Sequence, residues 1–118
     1  MRRTAKTVVT GVFTQTANSD GIDISAYSGM ADFILSATAV GGTGGACAVA
    51  IAHSDTLDNG FEALHGFEMV NGGGPSTQLI SVPIDQMKKY VRAQISLGGE
   101  DPTVTLTVLV SGKGNFYA

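Results

Sequence analysis

The chain has 118 residues, enough for one compact domain and too few for a two-domain enzyme. Apolar residues make up 43% of it and charged residues only 14%, against roughly 25% charged in ordinary soluble domains; no window approaches the roughly 18 consecutive apolar residues of a membrane helix. A net charge of −3 and a pI near 5.1 argue against nucleic acid as the main partner, because phosphate binding needs a concentrated basic face.

The first six residues carry Arg2, Arg3 and Lys6, and no other Lys or Arg precedes Lys88. Residues 1–6 therefore read as a basic N-terminal arm ahead of a domain spanning 7–118. Such an arm is either a solvated tail or a short segment that docks on an acidic protein surface. Its residues run into alternating polar and apolar positions rather than a continuous apolar core, so no signal peptide is expected.

From there on the period is two. Residues 7–14 form a weak strand, and Ile22-Asp23-Ile24 a short extra one. Residues 30–40 and 46–54 are apolar on both sides, as suits strands in the middle of a sandwich. Residues 61–70 form another weak strand, broken at Gly66. In 78–84 the inward positions are Ile80, Val82 and Ile84; in 90–97 they are Val91, Ala93, Ile95 and Leu97. The clearest alternation is in 103–111, where Val104, Leu106, Val108 and Val110 share one face and Thr103, Thr105, Thr107 and Ser111 the other. One helical turn at most fits 85–89. Between the strands, glycine- and asparagine-rich clusters at 18–21, 41–45, 58–60, 71–75 and 98–102 signal turns, since both residues accept positive φ. The expected fold is all-β: a single jelly-roll-like β-sandwich of seven to eight antiparallel strands.

No catalytic constellation is evident. His53, Ser54 and Asp55 have the residue types of a triad, but neighbours along a strand point to opposite faces. Two histidines and one cysteine at unrelated positions make a poor metal site. The stretch 55–60 is a calcium loop only superficially, because Leu57 stands where an oxygen ligand is required. Gly112-Lys113-Gly114 lacks the remainder of a phosphate loop. Cys47, the single cysteine, lies in an apolar run and is expected to be a buried thiol that requires no oxidising compartment. Neither enzyme activity nor a cofactor or metal is expected.

Two features suit assembly. The threonine-rich face of 103–111 is uncharged, and is either a solvated strand face or a surface that lies against another protein. Phe116 and Tyr117 near the C-terminus either close the protein's own core or anchor a neighbouring subunit, which makes them the candidates for an oligomer contact.

The order Gly-Ile-Asp-Ile-Ser-x-Tyr-Ser-Gly (21–29), the apolar strand 31–40, Ala-His-Ser-Asp-Thr-Leu-Asp-Asn-Gly (52–60), and the closing Tyr90-Val91-Arg92-Ala93, Gly98-Gly99, Pro102, residues 104–110 and Gly112-Lys113 together resemble small virion proteins of tailed bacteriophages, of the kind that decorate or cement the capsid. The resemblance spans residues 20–113. It implies a jelly-roll-like sandwich on the outside of the major capsid protein lattice, present as a dimer or trimer and made in the host cytoplasm. It brings no catalytic residues and no nucleic-acid or membrane partner. With it, Arg2, Arg3 and Lys6 become candidates for capsid contact. The alternatives are a glycan- or receptor-binding sandwich, for which Tyr27, Phe61 and Phe67 are the available aromatic platform, and a tail or head–tail connector protein.

Overall fold

Strands with one apolar face can bury it only against another such face, and here two sheets do so. The computed structural model describes residues 2–25, 27–57, 59–73 and 75–114. Its strands are β1 (Arg2–Phe13), β2 (Ala17–Asn18), β3 (Ile22–Asp23), β4 (Tyr27–Ala37), β5 (Gly41–Ser54), β6 (Glu62–Gly66), β7 (Val70–Asn71), β8 (Ser76–Pro83) and β9 (Tyr90–Gly114). Among the described residues, a single 3-10 turn, Ile84–Gln86, is the helical content.

All pairings are antiparallel. In the first sheet β1 and β4 flank the second half of β9, and β8 lies beyond β4. In the second sheet β5 and the short β2 and β3 flank the first half of β9, and β6 and β7 lie beyond β5. With β2 and β3 sharing one edge and β6 and β7 the other, each sheet has four strand positions. The orders β1–β9–β4–β8 and β2/β3–β9–β5–β6/β7 are those of a double-sheet jelly roll, whose chain crosses between sheets at nearly every connection.

The core between the sheets follows the alternation. Ala31, Phe33 and Leu35 from β4 and Val104, Leu106, Val108 and Val110 from β9 meet Cys47, Val49 and Ile51 from β5 and Val91, Ala93 and Ile95 from the other half of β9. Ile80, Ile84 and Leu97 pack against its rim, only partly buried.

Two expected turns are not turns. The segments 41–45 and 98–102 lie inside β5 and β9, so 90–97 and 103–111 belong to one 25-residue strand. The two segments pair with each other, Gly41 with Thr103, Thr43 with Glu100 and Ala46 with Gly98, with the register shifting between these pairs. Gly42, Gly44 and Gly99 have φ of +87°, +64° and +98°, and Asp101 has +49°. The glycines thus serve to bend a paired ribbon round a corner of the sandwich, a bulge function rather than a chain reversal. A further difference is at the start of the chain: residues 2–6 are the first part of β1 and continue across residue 6 into the domain, because the last residues of β9 supply a backbone ladder for them, from Arg2 opposite Gly114 to Lys6 opposite Val110.

Candidate functional site

The register decides where the basic residues stand. Arg3 lies directly opposite Lys113 of β9, and Lys113 in turn opposite Ser28 of β4, so basic positions gather at one end of the first sheet. Lys113 was not among the contact candidates read from sequence, because it is 110 positions away from Arg3 and only strand pairing joins them. Lys6 does not share that position. It lies opposite the core residue Val110, and its ammonium donates to the Asp23 carbonyl at 2.9 Å, 5.9 Å from the centroid of the Tyr27 ring. Lys6 thereby ties the β1 edge of one sheet to β3 at the edge of the other. Beside it, the Ser25 hydrogen bonds hold the Asp23 carboxyl below its ordinary range, with the Ser25 N–H at 2.8 Å from Oδ1. Phe116 and Tyr117 lie outside the described residues.

Ser54 and His53 are engaged structurally. Ser54 is buried; its hydroxyl donates to the Asn59 carbonyl at 2.6 Å and accepts from the Thr56 N–H at 3.0 Å, closing the loop after β5. His53 Nδ1 accepts from the Lys88 N–H at 3.2 Å. His65, on β6, is exposed. No group of three or more His, Cys, Asp or Glu able to hold a metal is found among the described residues. Cys47 is fully buried, and burial pushes its thiol up from its ordinary value. A thiol reagent is expected to label the native protein slowly at neutral pH and rapidly once urea unfolds it. Because Cys47 is the single cysteine, the labelling rate reports this site alone.

The aromatic platform is dismantled by the fold. Tyr27 and Phe67 are core residues, the Tyr27 hydroxyl lying 3.4 Å from the Val110 carbonyl oxygen. Phe61 is partly exposed, but the Arg92 guanidinium lies over its ring at 4.3 Å from the centroid. Arg92 also lines a cleft of about 230 Å³ with Ser19, Asp20, Gly21 and Leu57.

The outer face of the first sheet is a continuous feature across four strands. Cross-strand partners form rows across it: Thr7–Leu109–Ile34–Leu79, and next to it Thr10–Thr107–Ser36–Thr77. The Thr10 and Thr107 hydroxyls are 2.8 Å apart, and Ser81 donates to Asp32 Oδ1 at 2.6 Å. Val12 and Leu79, on the two edge strands, are 67% and 63% exposed. This is a pleated, nearly uncharged surface of small polar and aliphatic side chains, with the Asp32 carboxylate held by Ser81. Complementary packing is the chemistry it offers.

No protein-family model matches the chain, and no curated protein sequence matches it. Among solved structures it is similar to a chain of infectious bursal disease virus, Gx strain, with a TM-score of 0.61 and 12% identity over 98% of this chain. It spans about a third of that viral chain, 33%. It is also similar to the SPBc2 prophage-derived protein YomS, with a TM-score of 0.52 and 9% identity over 94% of both chains. At these identities the likeness is one of fold alone.

Proposed function

We propose that this protein is a non-enzymatic structural component of a phage virion that binds the outer surface of the major capsid protein lattice and stabilises the head. The observation that carries the proposal is the broad, nearly uncharged outer face of the first sheet on a jelly roll whose Ser54 and His53 are tied into structure. The fold likeness to a viral particle chain and to a prophage-derived protein of matching extent supports it. Such a protein works by linkage. Each copy binds assembled shell and not free subunits, so many modest contacts shift the shell's stability against internal pressure. A copy that spans subunit boundaries ties neighbours together, and self-association multiplies the effect.

The positions gathered at the end of the first sheet, Arg2, Arg3 and Lys113, would meet acidic groups on the shell, and Lys6 acts through the fold. Deleting residues 1–6 would remove five of the twelve residues of β1, so charge substitution is the cleaner probe. In co-sedimentation with capsids lacking the protein, saturable binding is expected at a ratio compatible with capsid symmetry, together with a rise in shell melting temperature. The Arg2→Gln/Arg3→Gln variant is expected to bind about 3- to 10-fold more weakly at low salt and to show a shallower salt dependence. Absence of saturable binding overturns the proposal; retention on polysaccharide, or assembly into rings or tubes, would favour a glycan-binding or connector role instead.

A further inference from the structure

A jelly roll has four open edges, and three here are blunted against pairing with another chain. β1 carries Arg2, Arg3 and Lys6, and its register breaks between Thr7 and Val9. β2, β3 and β7 have two residues each. β6 is short, includes Glu62 and His65, and faces a register break between Ile51 and Ala52. Short length, charge and bulges are the devices that keep edge strands from pairing. β8 has none of them over its length. Its eight residues, Ser76–Pro83, contain no charge, their register with β4 is unbroken from Met30–Pro83 to Ala37–Ser76, and Pro83 interrupts only the final donor.

We propose that β8 pairs antiparallel with β8 of a second copy, about a two-fold axis at Leu79. The geometry favours an identical partner over a foreign one. A two-fold contact must match a surface to itself, and an antiparallel pair of one strand with its own copy does so whenever the axis falls on a residue, because directly opposed side chains then share a face. Centred on Leu79, the pairing sets Leu79 against Leu79 and Thr77 against Ser81, with no like charges opposed. The apolar row Leu109–Ile34–Leu79 then continues without a gap into its mirror row, joining two four-stranded sheets into one of eight. Leu79, 63% exposed in one copy, acquires the cross-strand neighbour it lacks. Gln78, on the opposite face of β8, is occupied within the chain: it accepts from the Glu68 N–H at 2.7 Å and donates to the Glu68 carbonyl at 2.9 Å. Those bonds hold the side of the sandwich shut beneath β8 and leave its outward row to the partner. Seven opposed residues make about six backbone hydrogen bonds, a small interface of the weak, concentration-dependent class.

This gives a surface to the self-association in the capsid reading, but it stands or falls separately from capsid binding. Light scattering of the full chain from about 10 µM to 1 mM is expected to show the mass rising from 12.1 kDa toward that of a dimer. Leu79→Lys places two ammonium groups face to face at an exposed position and is expected to weaken the dimer at least about tenfold. Val12→Lys, equally exposed on the far edge of the same sheet, is expected to leave it unchanged. Under mild oxidation Leu79→Cys is expected to give a disulfide-linked dimer and Val12→Cys none, with buried Cys47 out of reach in both. A mass that stays monomeric throughout overturns the proposal. So does a dimer indifferent to Leu79→Lys or broken by Val12→Lys. Capsid co-sedimentation of the Leu79→Lys protein scores the capsid reading independently of either result.

Discussion

Replacing Phe33 with alanine is expected to lower the free energy of unfolding by about 3–5 kcal/mol, the range for truncating a large aromatic in a packed core. Phe33 heads the fully buried side chains and sits on the central strand β4, between Val110 of β9 and Ile80 of β8. Neighbours on both sides belong to ladders that cannot close inward without breaking backbone hydrogen bonds, so most of the cavity would persist. For a domain of this size each kcal/mol displaces the melting temperature by about 4 °C, and a loss on this scale removes a large part of the ordinary 5–15 kcal/mol of stability. Phe33→Leu, which keeps most of the volume, is expected to cost only about 1–2 kcal/mol. Urea unfolding of both variants checks the pair; equal losses would mean that the site collapses and the core is less tightly packed than its burial implies.

The second large effect is expected at the corner where β5 and β9 bend together. Gly42→Ala should cost about 2–5 kcal/mol, combining the strain of a side chain at positive φ with overpacking. At φ +87° a Cβ on Gly42 would press on the carbonyl oxygen of Glu100 and lie 2.6 Å from that of Asp101. These are backbone atoms of the paired strand, so relief requires the two strands to separate. Gly44 is the internal control. It too has positive φ, +64°, but a Cβ there meets nothing within 4 Å, so Gly44→Ala should cost only about 1 kcal/mol of backbone strain. Gly66→Ala, with open space around it and a φ outside the left-handed region, is expected to change stability by less than about 1 kcal/mol. Chemical denaturation of the three variants separates strain from collision. If Gly42→Ala and Gly44→Ala lost the same amount, close approach at the corner would not be what glycine supplies there.

The proposed contact surface was only half legible in the sequence. The uncharged threonine row of 103–111 could be read from alternation, because in a strand the face of every second residue follows from local geometry. The rows that make it a surface, Leu109 beside Ile34 beside Leu79, join residues from three strands and depend on register, which alternation leaves open. The basic cluster shows the same division. Arg2 and Arg3 were visible as charges, but the pairing of Arg3 with Lys113 and the turning of Lys6 toward the Asp23 carbonyl are products of strand order. The aromatic platform failed for a related reason: Tyr27 and Phe67 flank turn-rich segments in sequence, yet the crossing of the chain between sheets carries both into the core.

Sequence by itself determined the all-β class, the inward faces of the central strands and the buried thiol. Each follows from a period of two and from the cost of exposing aliphatic surface. Only the tertiary structure decided whether a glycine cluster reverses the chain or bends a continuous ribbon. Permissive φ serves both, and the choice rests on whether the neighbouring strand is already paired alongside. At 72–73, directly after β7, the chain turns; at 41–45 and 98–102 the two clusters lie against each other, and the ladder between β5 and β9 carries both round the corner.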